Sequence, residues 1–219
     1  PPWRPVAGRI ETEDGRRVLC VTFHVEPFDN GARPIIEIRL REHRPREIEL
    51  RADSRPDGKS MTSCILSATM GNYARLRTLY LKDRTIDAKS LYEPFQPVVA
   101  GFARHEQWPL SDLLVRDGRA IIAARPDESD PAAAAYDPKV NRGWHYLGKT
   151  ATQYWSAEAR PDLIARVNAR ETYWASQAPI PGGVSFENFE LELPFEAGQS
   201  FRFGITPEEP EALGFPPRR

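Results

Sequence analysis

Apolar and polar residues alternate at every second position over much of this chain, and this alternation predicts β-strands. In residues 17–25, Leu19, Val21 and Phe23 share one predicted face. Residues 35–41 and 47–52 repeat the pattern, with isoleucine and leucine opposed to glutamate and arginine. Such a period of two is typical of antiparallel strands with one buried face. We therefore expect three strands here, and we expect residues 35–41 and 47–52 to have one buried apolar face.

Further strands are predicted at residues 61–70, 73–81, 115–124, 184–193 and 200–205. The first of these segments is almost uncharged, which indicates a fully buried strand. Asp117-Gly118 has the composition of a two-residue hairpin turn, so we expect residues 115–124 to form a hairpin around it. The last two segments flank a short stretch that begins with Pro194 and ends with Gly198, which predicts a closing hairpin.

Residues 162–174 fit two patterns. At helical spacing Leu163, Val167 and Trp174 form a stripe, and Pro161 suits the first position of a helix,. At strand spacing the alternation is cleaner, and we prefer the strand because the rest of the chain is β-rich. One strand face would then present the residues of a groove floor for an acidic polymer: Arg166, Asn168, Arg170, Thr172 and Trp174.

About ten short strands separated by turn residues predict an all-β fold with few or no helices. We expect a two-sheet antiparallel β-sandwich of the jelly-roll type, with a closed β-barrel as the alternative. The 219 residues form a single predicted domain, in which the Pro- and Glu-rich residues 207–219 wrap the surface or fray,. A chain of this length buries about 70% of its unfolded surface, so it needs no metal or disulfide to fold.

Composition excludes some partner classes. The formal net charge is −1, whereas a nucleic-acid-binding domain normally has a strong basic excess,. No stretch of 18 apolar residues is present, so we expect no membrane-spanning helix. Arginine far outnumbers lysine. A coding bias explains this excess, and the alternative is that some arginines recognise carboxylate or phosphate groups. The oligomeric state cannot be read from the sequence.

The N-terminus and the two cysteines bear on the compartment. The chain begins Pro1-Pro2-Trp3 without methionine, which fits a processed mature form or a trimmed chain,. We therefore expect a secreted or periplasmic protein, with a cytoplasmic location as the alternative. Cys20 and Cys64 lie in predicted strands, where they are either two buried thiols or one bridge.

Residues 141–155 contain an unusual density of rings and hydrogen-bonding groups. Trp144 and Trp155 could stack on the faces of sugar rings, while His145 or Tyr154 transfers a proton,. The same composition is also typical of the edge of a hydrophobic core. If the segment is a site, one of its tryptophans must share a concavity with the arginines of other strands.

Two other segments contain candidate site residues. In residues 102–109, His105 is flanked by charged residues and Trp108 in a predicted loop, and a histidine suits acid–base chemistry near neutral pH,. In residues 71–77, Asn72 and Tyr73 precede Arg75 and Arg77. These two arginines would point the same way on a strand and could hold a carboxylate. The structural alternatives are an exposed loop histidine and an outer sheet face with Arg–Glu pairs.

Metal and nucleotide motifs are missing from the sequence, and we expect no cofactor. The four histidines are far apart, and no pair of cysteines has zinc-ligand spacing,. A structural calcium ion bound by Asp127, Asp130 and Asp137 is compatible with the sequence, although such residues in a Pro-rich loop are usually solvated.

These features favour a carbohydrate-active protein whose ligand is an acidic oligo- or polysaccharide. The leading hypothesis is a lyase, in which Arg and Asn neutralise a uronate carboxylate and His or Tyr moves the proton. One alternative is a glycoside hydrolase with paired carboxylates, for which Glu37, Glu187, Glu190 and Glu192 are candidates,. Another is a non-catalytic carbohydrate-binding module or an assembly protein.

Overall fold

The computed structural model describes residues 7–69, 74–127, 150–174 and 176–217. Sixteen strands are present in these ranges, with one short α-helix, α1 (Ala88–Leu91), and two 3-10 turns (Leu110–Asp112 and Pro210–Leu213). The strands are β1 (Ala7–Glu13), β2 (Arg16–His24), β3 (Pro34–Arg41), β4 (Glu47–Ser54), β5 (Ser63–Thr69), β6 (Leu76–Tyr80), β7 (Thr85–Asp87), β8 (Pro97–Val99), β9 (Phe102–Ala103), β10 (Glu106–Pro109), β11 (Leu114–Arg116), β12 (Arg119–Pro126), β13 (Thr152–Glu158), β14 (Ile164–Arg170), β15 (Ser185–Pro194) and β16 (Gln199–Thr206).

The strands form two main antiparallel sheets and a small ribbon. The large sheet has ten strands in the order β1-β2-β3-β4-β16-β13-β12-β6-β7, with β11 paired to β12. The small sheet has four strands in the order β10-β14-β15-β5, and β8 pairs with β9. In the described part of the chain no pairing joins β1 to β7, so the large sheet is open. The predicted all-β, sandwich-like fold is therefore confirmed, and the barrel alternative is wrong.

The hydrophobic core lies between the two sheets. Trp155 of β13 stacks on Phe189 of β15, with ring centroids 4.1 Å apart and planes 6° from parallel. Inward-facing residues of β12, β14 and β16 surround this pair. They alternate with outward-facing polar residues, as the period-2 pattern requires. The sheets are thus joined by apolar packing at the centre of the molecule.

The small sheet covers only part of the large sheet. Strands β1–β4 extend beyond it, and on their inward-facing side Leu19, Phe23 and Leu40 are all exposed. The expectation that residues 35–41 and 47–52 have a buried apolar face is therefore wrong for Leu40, and also for Ile48, which is exposed as well. The strands themselves are confirmed. The alternation shows that one side is apolar, whereas the order of the strands decides whether that side is covered.

The opposite side of β1–β4 is an ionic layer of arginine and glutamate. Arg39 is 2% exposed and contacts Glu37 at 2.8 Å, Glu11 at 3.3 Å, and Glu13. Arg41 pairs with Glu49, which is also buried. The charged side chains of this layer lie on the same side as Val18 and Cys20, which are fully buried. Long side chains can cover apolar groups in this way, because their stems are hydrocarbon.

Two local predictions are confirmed. Residues 164–170 of the ambiguous segment form β14, so the strand interpretation was right for them and the helix alternative was wrong. Thr172 and Trp174 lie beyond the strand, and Asn168 and Arg170 are buried, so the predicted groove floor is not formed as one strand face. The hairpin around Asp117-Gly118 joins β11 to β12. Both turn residues have positive φ, 49° and 70°, as a type I′ turn requires,.

Two other local predictions are wrong. Residues 61–70 were expected to be a fully buried strand, but β5 is an edge strand whose residues alternate between half-buried and exposed. Strands β15 and β16 do not form a hairpin with each other. β15 pairs with β14 and β5 in the small sheet, whereas β16 pairs with β4 and β13 in the large sheet. Their connection therefore crosses between the sheets.

The described part of the C-terminal tail packs against the large sheet. Pro210 and Phe215 are buried, and the Phe215 ring contacts Tyr80 edge-on at a centroid distance of 6.0 Å. Cys20 and Cys64 lie in different sheets, and both are free thiols. Within the described residues, no helix has the length and apolar character needed to cross a membrane.

Candidate functional site

The outer face of the small sheet brings together several of the predicted site residues. In β15, Phe189, Leu191 and Leu193 point into the core, so Glu190 and Glu192 point outward. In β14, Ala165 and Val167 point inward and Arg166 points outward. We call this outer surface the small-sheet face. Its central polar residues are Ser67, His105, Gln107, Arg166, Glu190 and Glu192.

His105 lies between β9 and β10, at the margin of this face, and its side chain is 37% exposed. Its Nε2 atom is 3.6 Å from Oε1 of Glu190. The same Glu190 oxygen accepts a hydrogen bond from the Ser67 hydroxyl at 3.4 Å. His105, Glu190 and Ser67 thus form a small polar cluster at the margin of the face. His105 itself lies in a connection, but the residues on both sides of it form β9 and β10, so the predicted loop over residues 102–109 is wrong for them. Glu190 is the contact that sequence spacing alone does not reveal.

Other residues of β14 have structural partners. Arg166 forms an ion pair with Glu192 on the neighbouring strand. The Asn168 side-chain oxygen accepts a hydrogen bond from the backbone N–H of Asn188 at 3.0 Å. That bond lies where the register of β14 and β15 shifts, so Asn168 satisfies a backbone donor at the irregularity,.

An aromatic platform lies at the end of β14. Trp174 is 56% exposed, and its ring stacks on Phe102 with centroids 5.7 Å apart and planes 28° from parallel. The guanidinium carbon of Arg170 is 4.6 Å from the Phe102 centroid and 4.9 Å from the Trp174 centroid. We call Phe102, Arg170 and Trp174 the platform. It offers an exposed indole whose position is set by two neighbours.

Hydrogen bonds hold Arg170 in place. Its guanidinium donates to the carbonyls of Ala100 at 2.9 Å and Thr172 at 3.2 Å, and to the Gln177 side-chain oxygen at 3.3 Å. Gly101 has a φ of 80°, and a Cβ atom there would lie 3.1 Å from Arg170 Nη2. Burial lowers the pKa of Arg170 from its ordinary value, while the charge of Glu187 opposes this shift. Arg170 is therefore part of the floor of the platform and has no donor directed at solvent.

Arg75 and Arg77 do not form the predicted carboxylate-binding pair. β6 begins at Leu76, and Arg75 precedes it with a positive φ of 51°. All three guanidinium nitrogens of Arg77 donate to protein oxygens, among them Asp127 Oδ1 at 2.7 Å and the Val184 carbonyl at 3.1 Å. Arg75 donates to the Tyr173 hydroxyl at 3.3 Å and is 4% exposed. Asn72 and Tyr73 lie outside the described residues.

Tyr154 lies on the outer face of the large sheet, across the core from His105. Its hydroxyl donates to Glu47 Oε2 at 3.0 Å. Burial raises the pKa of Tyr154 to about 12, and the charge of Glu47 adds to this effect. Tyr154 and His105 therefore do not share one site, because the two-sheet core separates them. Trp144 and His145 lie outside the described residues.

Two tryptophans predicted to contact ligand belong to the core. Trp155 is 1% exposed and stacks on Phe189, and Trp108 is 6% exposed within the same cluster. Neither ring is available to stack on a sugar. Phe102 was missed as a platform residue because its contact with Trp174 joins distant parts of the sequence. The signal available beforehand was Trp174 itself, at the end of the predicted strand face.

The remaining acidic candidates do not lie on the small-sheet face with free carboxylates. Glu37 belongs to the ionic layer with Arg9 and Arg39, and Glu187 is 2% exposed. Asp127 pairs with Arg77, while Asp130 and Asp137 lie outside the described ranges. Among the described residues no group of three or more His, Cys, Asp or Glu side chains is arranged to hold a metal ion. A structural calcium ion stays a prediction.

Comparison with protein-family models, with curated proteins and with solved structures found no match to this chain.

Proposed function

We propose that the protein is a carbohydrate-binding protein whose ligand lies across the small-sheet face, with one sugar ring stacked on Trp174. The observation that carries this proposal is the platform. An indole that is 56% exposed, stacked on a second ring and fixed by a buried arginine, is ready to receive a flat apolar surface. The C–H face of a pyranose offers such a surface, and its hydroxyls suit the polar residues beside it.

The position of His105 supports a ligand longer than one sugar. Glu106 pairs with Val167 across β10 and β14, so His105 lies beside Asn168, two residues from Arg170. Two residues of a strand span about 7 Å, a distance similar to the length of one sugar unit. A chain stacked on Trp174 would therefore present its next unit near His105 and Glu190.

The charge of Arg170 favours an acidic ligand. Its hydrogen-bond acceptors are two backbone carbonyls and an amide oxygen, all of them neutral. None of these hydrogen bonds neutralises the positive charge beneath the platform, although the charge of the buried Glu187 also acts on this guanidinium. A uronate or another anionic sugar over the platform would be attracted to this charge, since partly buried charges are weakly screened.

The test is glycan binding by the full chain and two variants. Trp174→Ala should weaken binding of an acidic oligosaccharide by about tenfold or more in isothermal titration calorimetry, because a central stacking contact is lost. Phe28→Ala is the matched control, since Phe28 is also exposed but lies in the β2–β3 connection. Equal effects of the two substitutions, or no binding to either acidic or neutral glycans, would contradict the proposal.

A second candidate function is β-elimination in the same ligand, favoured by the contact between His105 and Glu190. In such a lyase His105 removes the proton next to the sugar carboxylate, Glu190 stabilises the imidazolium, and the proton passes to the leaving oxygen. The products are an unsaturated uronate and a new chain end, so atoms balance without a cofactor. Tyr154 cannot protonate the leaving oxygen at this site, because it lies on the other side of the molecule.

Product analysis separates the enzymatic alternatives. A lyase produces ultraviolet absorbance from the new conjugated C=C bond, and His105→Ala should abolish it. His43→Ala, in the exposed β3–β4 connection, should keep full activity. New reducing ends without absorbance would instead favour hydrolysis by Glu190 and Glu192, whose outward positions on β15 are about 7 Å apart. Binding without either product leaves the protein as a binding module.

A further inference from the structure

Strands β1–β4 present an apolar surface that the small sheet does not cover. Five of its side chains are between 37% and 68% exposed. These are Ile10, Leu19, Phe23, Leu40 and Ile48. Half-buried aliphatic residues fill the positions between them, namely Val21, Ile36, Ile38 and Leu50. We call these nine residues the uncovered apolar face.

The strand register makes this face continuous. Leu19 lies opposite Ile10 on one side and Leu40 on the other, and Leu40 lies opposite Ile48. Ile48 in turn lies opposite Phe203, which packs against the core. The face is therefore an extension of the surface that the small sheet covers elsewhere. It is suited to a second layer of β-sheet, since sheets pack face to face through such side chains.

We propose that the uncovered apolar face is the interface of a homodimer, in which the same face of a second copy of this chain packs against it. The nine positions are all aliphatic or aromatic, so the face offers no charge by which an oppositely charged partner could be recognised. A uniformly apolar face can pack against a copy of itself without leaving a charge unpaired. A twofold axis uses the same patch on both copies, which makes a closed dimer the simplest assembly.

Area and charge are consistent with a second copy. The exposed parts of these side chains amount to roughly 500 Å² on one copy, which is near the upper end for patches on monomeric proteins. Two copies would bury about 1,000 Å², close to the lower limit of a specific interface. The formal net charge of −1 gives little repulsion between copies,. We therefore expect a dimer of moderate affinity.

Polar residues limit the face at one end. Arg17 lies beyond Leu19 on β2, and its Nε atom is 3.1 Å from Oε2 of Glu42. This exposed pair, with one charge of each sign, is typical of the rim of an interface, where charged groups stay in contact with water. The apolar positions between the rim and the core then form the interface centre.

Sedimentation equilibrium of the full chain between about 1 and 100 µM tests the proposal. The unchanged protein should pass from monomer to dimer within this range. Leu40→Glu should raise the dissociation constant by about tenfold or more, because it places a charge in the centre of the apolar interface. Val115→Glu is the control, since Val115 is exposed on β11, away from the face.

A second variant and a folding check keep the result interpretable. Leu19→Glu, on the neighbouring strand, should have the same effect as Leu40→Glu, and circular dichroism should show that both variants keep the β-sheet signal. A monomer at all concentrations would overturn the proposal. So would an equal loss of association in Val115→Glu, or growth beyond the dimer without a plateau, which indicates open-ended pairing of sheet edges.

Discussion

Arg77 on β6 forms hydrogen bonds to the segment that precedes β15. Its guanidinium donates to Asp127 and to the carbonyls of Pro181, Gly183 and Val184, and the residue is 2% exposed. Arg77→Ala would leave these carbonyls without this donor, and Asp127 would keep only its longer contact with Lys89, at 3.7 Å. We expect the free energy of unfolding to fall by about 3–5 kcal/mol in urea denaturation.

The control for Arg77 is Arg104, whose ion pair with Glu106 is on the surface, with the arginine side chain 76% exposed. Arg104→Ala should cost less than about 1 kcal/mol. If the two substitutions have similar effects, the hydrogen bonds of Arg77 do not stabilise the fold as proposed.

Gly204 lies on β16 beneath the Tyr154 ring. A Cβ atom at Gly204 would lie 2.1 Å from Cζ of Tyr154, so no larger residue fits while the tyrosine reaches Glu47. Gly204→Ala should lower the free energy of unfolding by about 1–3 kcal/mol, since it forces the ring to move. In a Tyr154→Ala background the same change should cost little, because the clash is gone.

The double-mutant cycle measures this coupling directly, as the non-additive part of the two effects. Gly8→Ala is the control, because a Cβ atom on β1 would have ordinary contacts no closer than 3.9 Å. It should be neutral or stabilise the protein slightly. Additive effects of Gly204→Ala and Tyr154→Ala would contradict the steric explanation.

At the level of single residues, the sequence shows which side chains have suitable chemistry, but it does not show which of them are exposed. Trp108, Trp155 and Trp174 all occur beside polar residues, yet only Trp174 is exposed. Trp155 is buried because it lies on the side of β13 that packs against the small sheet, where it stacks on Phe189. Trp174 lies beyond the end of β14, where the chain has left the sheet. Strand ends and sheet order decide these positions, and neither follows from composition.

At the scale of elements, period-2 alternation predicted where the strands lie, but it did not predict which strands pair with each other. Residues 17–25, 35–41 and 47–52 correspond to β2, β3 and β4. The same pattern could not show that β15 and β16 belong to different sheets. A short connection usually joins neighbouring strands. Here it crosses between the sheets, since β15 pairs with β14 and β5 whereas β16 pairs with β4 and β13.

The ionic layer of β1–β4 should make the protein sensitive to acid. Burial opposes ionisation of Glu49, but hydrogen bonds from Arg51 and Arg41 outweigh it and lower the pKa of this carboxyl below its ordinary value of 4.5. A carboxyl with a lowered folded-state pKa stabilises the fold above its unfolded pKa, and this contribution is lost as the pH falls. We therefore expect the melting temperature to fall as the pH drops below about 4.5.

Glu49→Gln isolates this contribution. The variant should be less stable at neutral pH, and its melting temperature should depend less on pH in the acidic range, because the titrating group is gone. Glu26→Gln, on an exposed loop residue, should keep the pH dependence of the unchanged protein. A Glu49→Gln profile parallel to that of the unchanged protein would show that this carboxyl does not govern acid stability.

At the scale of the whole molecule, the large sheet has two unlike halves. Strands β12, β13 and β16 pack against the small sheet through a continuous core, whereas β1–β3 have the ionic layer on one side and the uncovered apolar face on the other. The single-domain organisation stays a prediction. The sequence predicts an apolar side for both halves of the large sheet, but not which half is covered. Coverage depends on the order of strands, which pairs segments far apart in the sequence and has no local signal.

This asymmetry predicts stepwise opening. Regions with few buried apolar contacts unfold locally at a lower free energy than the global transition. In the monomer, β1–β3 should therefore open at a free energy at least about 1 kcal/mol lower than β12–β14. Hydrogen exchange with mass spectrometry, at about 1 µM so that the proposed dimer is dissociated, measures both regions in one experiment.

Raising the protein concentration should protect β1–β3 selectively, since dimer formation covers their apolar face. Identical exchange in both halves at every concentration would mean that the sheet unfolds as one unit and that its uncovered half is stabilised by the ionic layer alone.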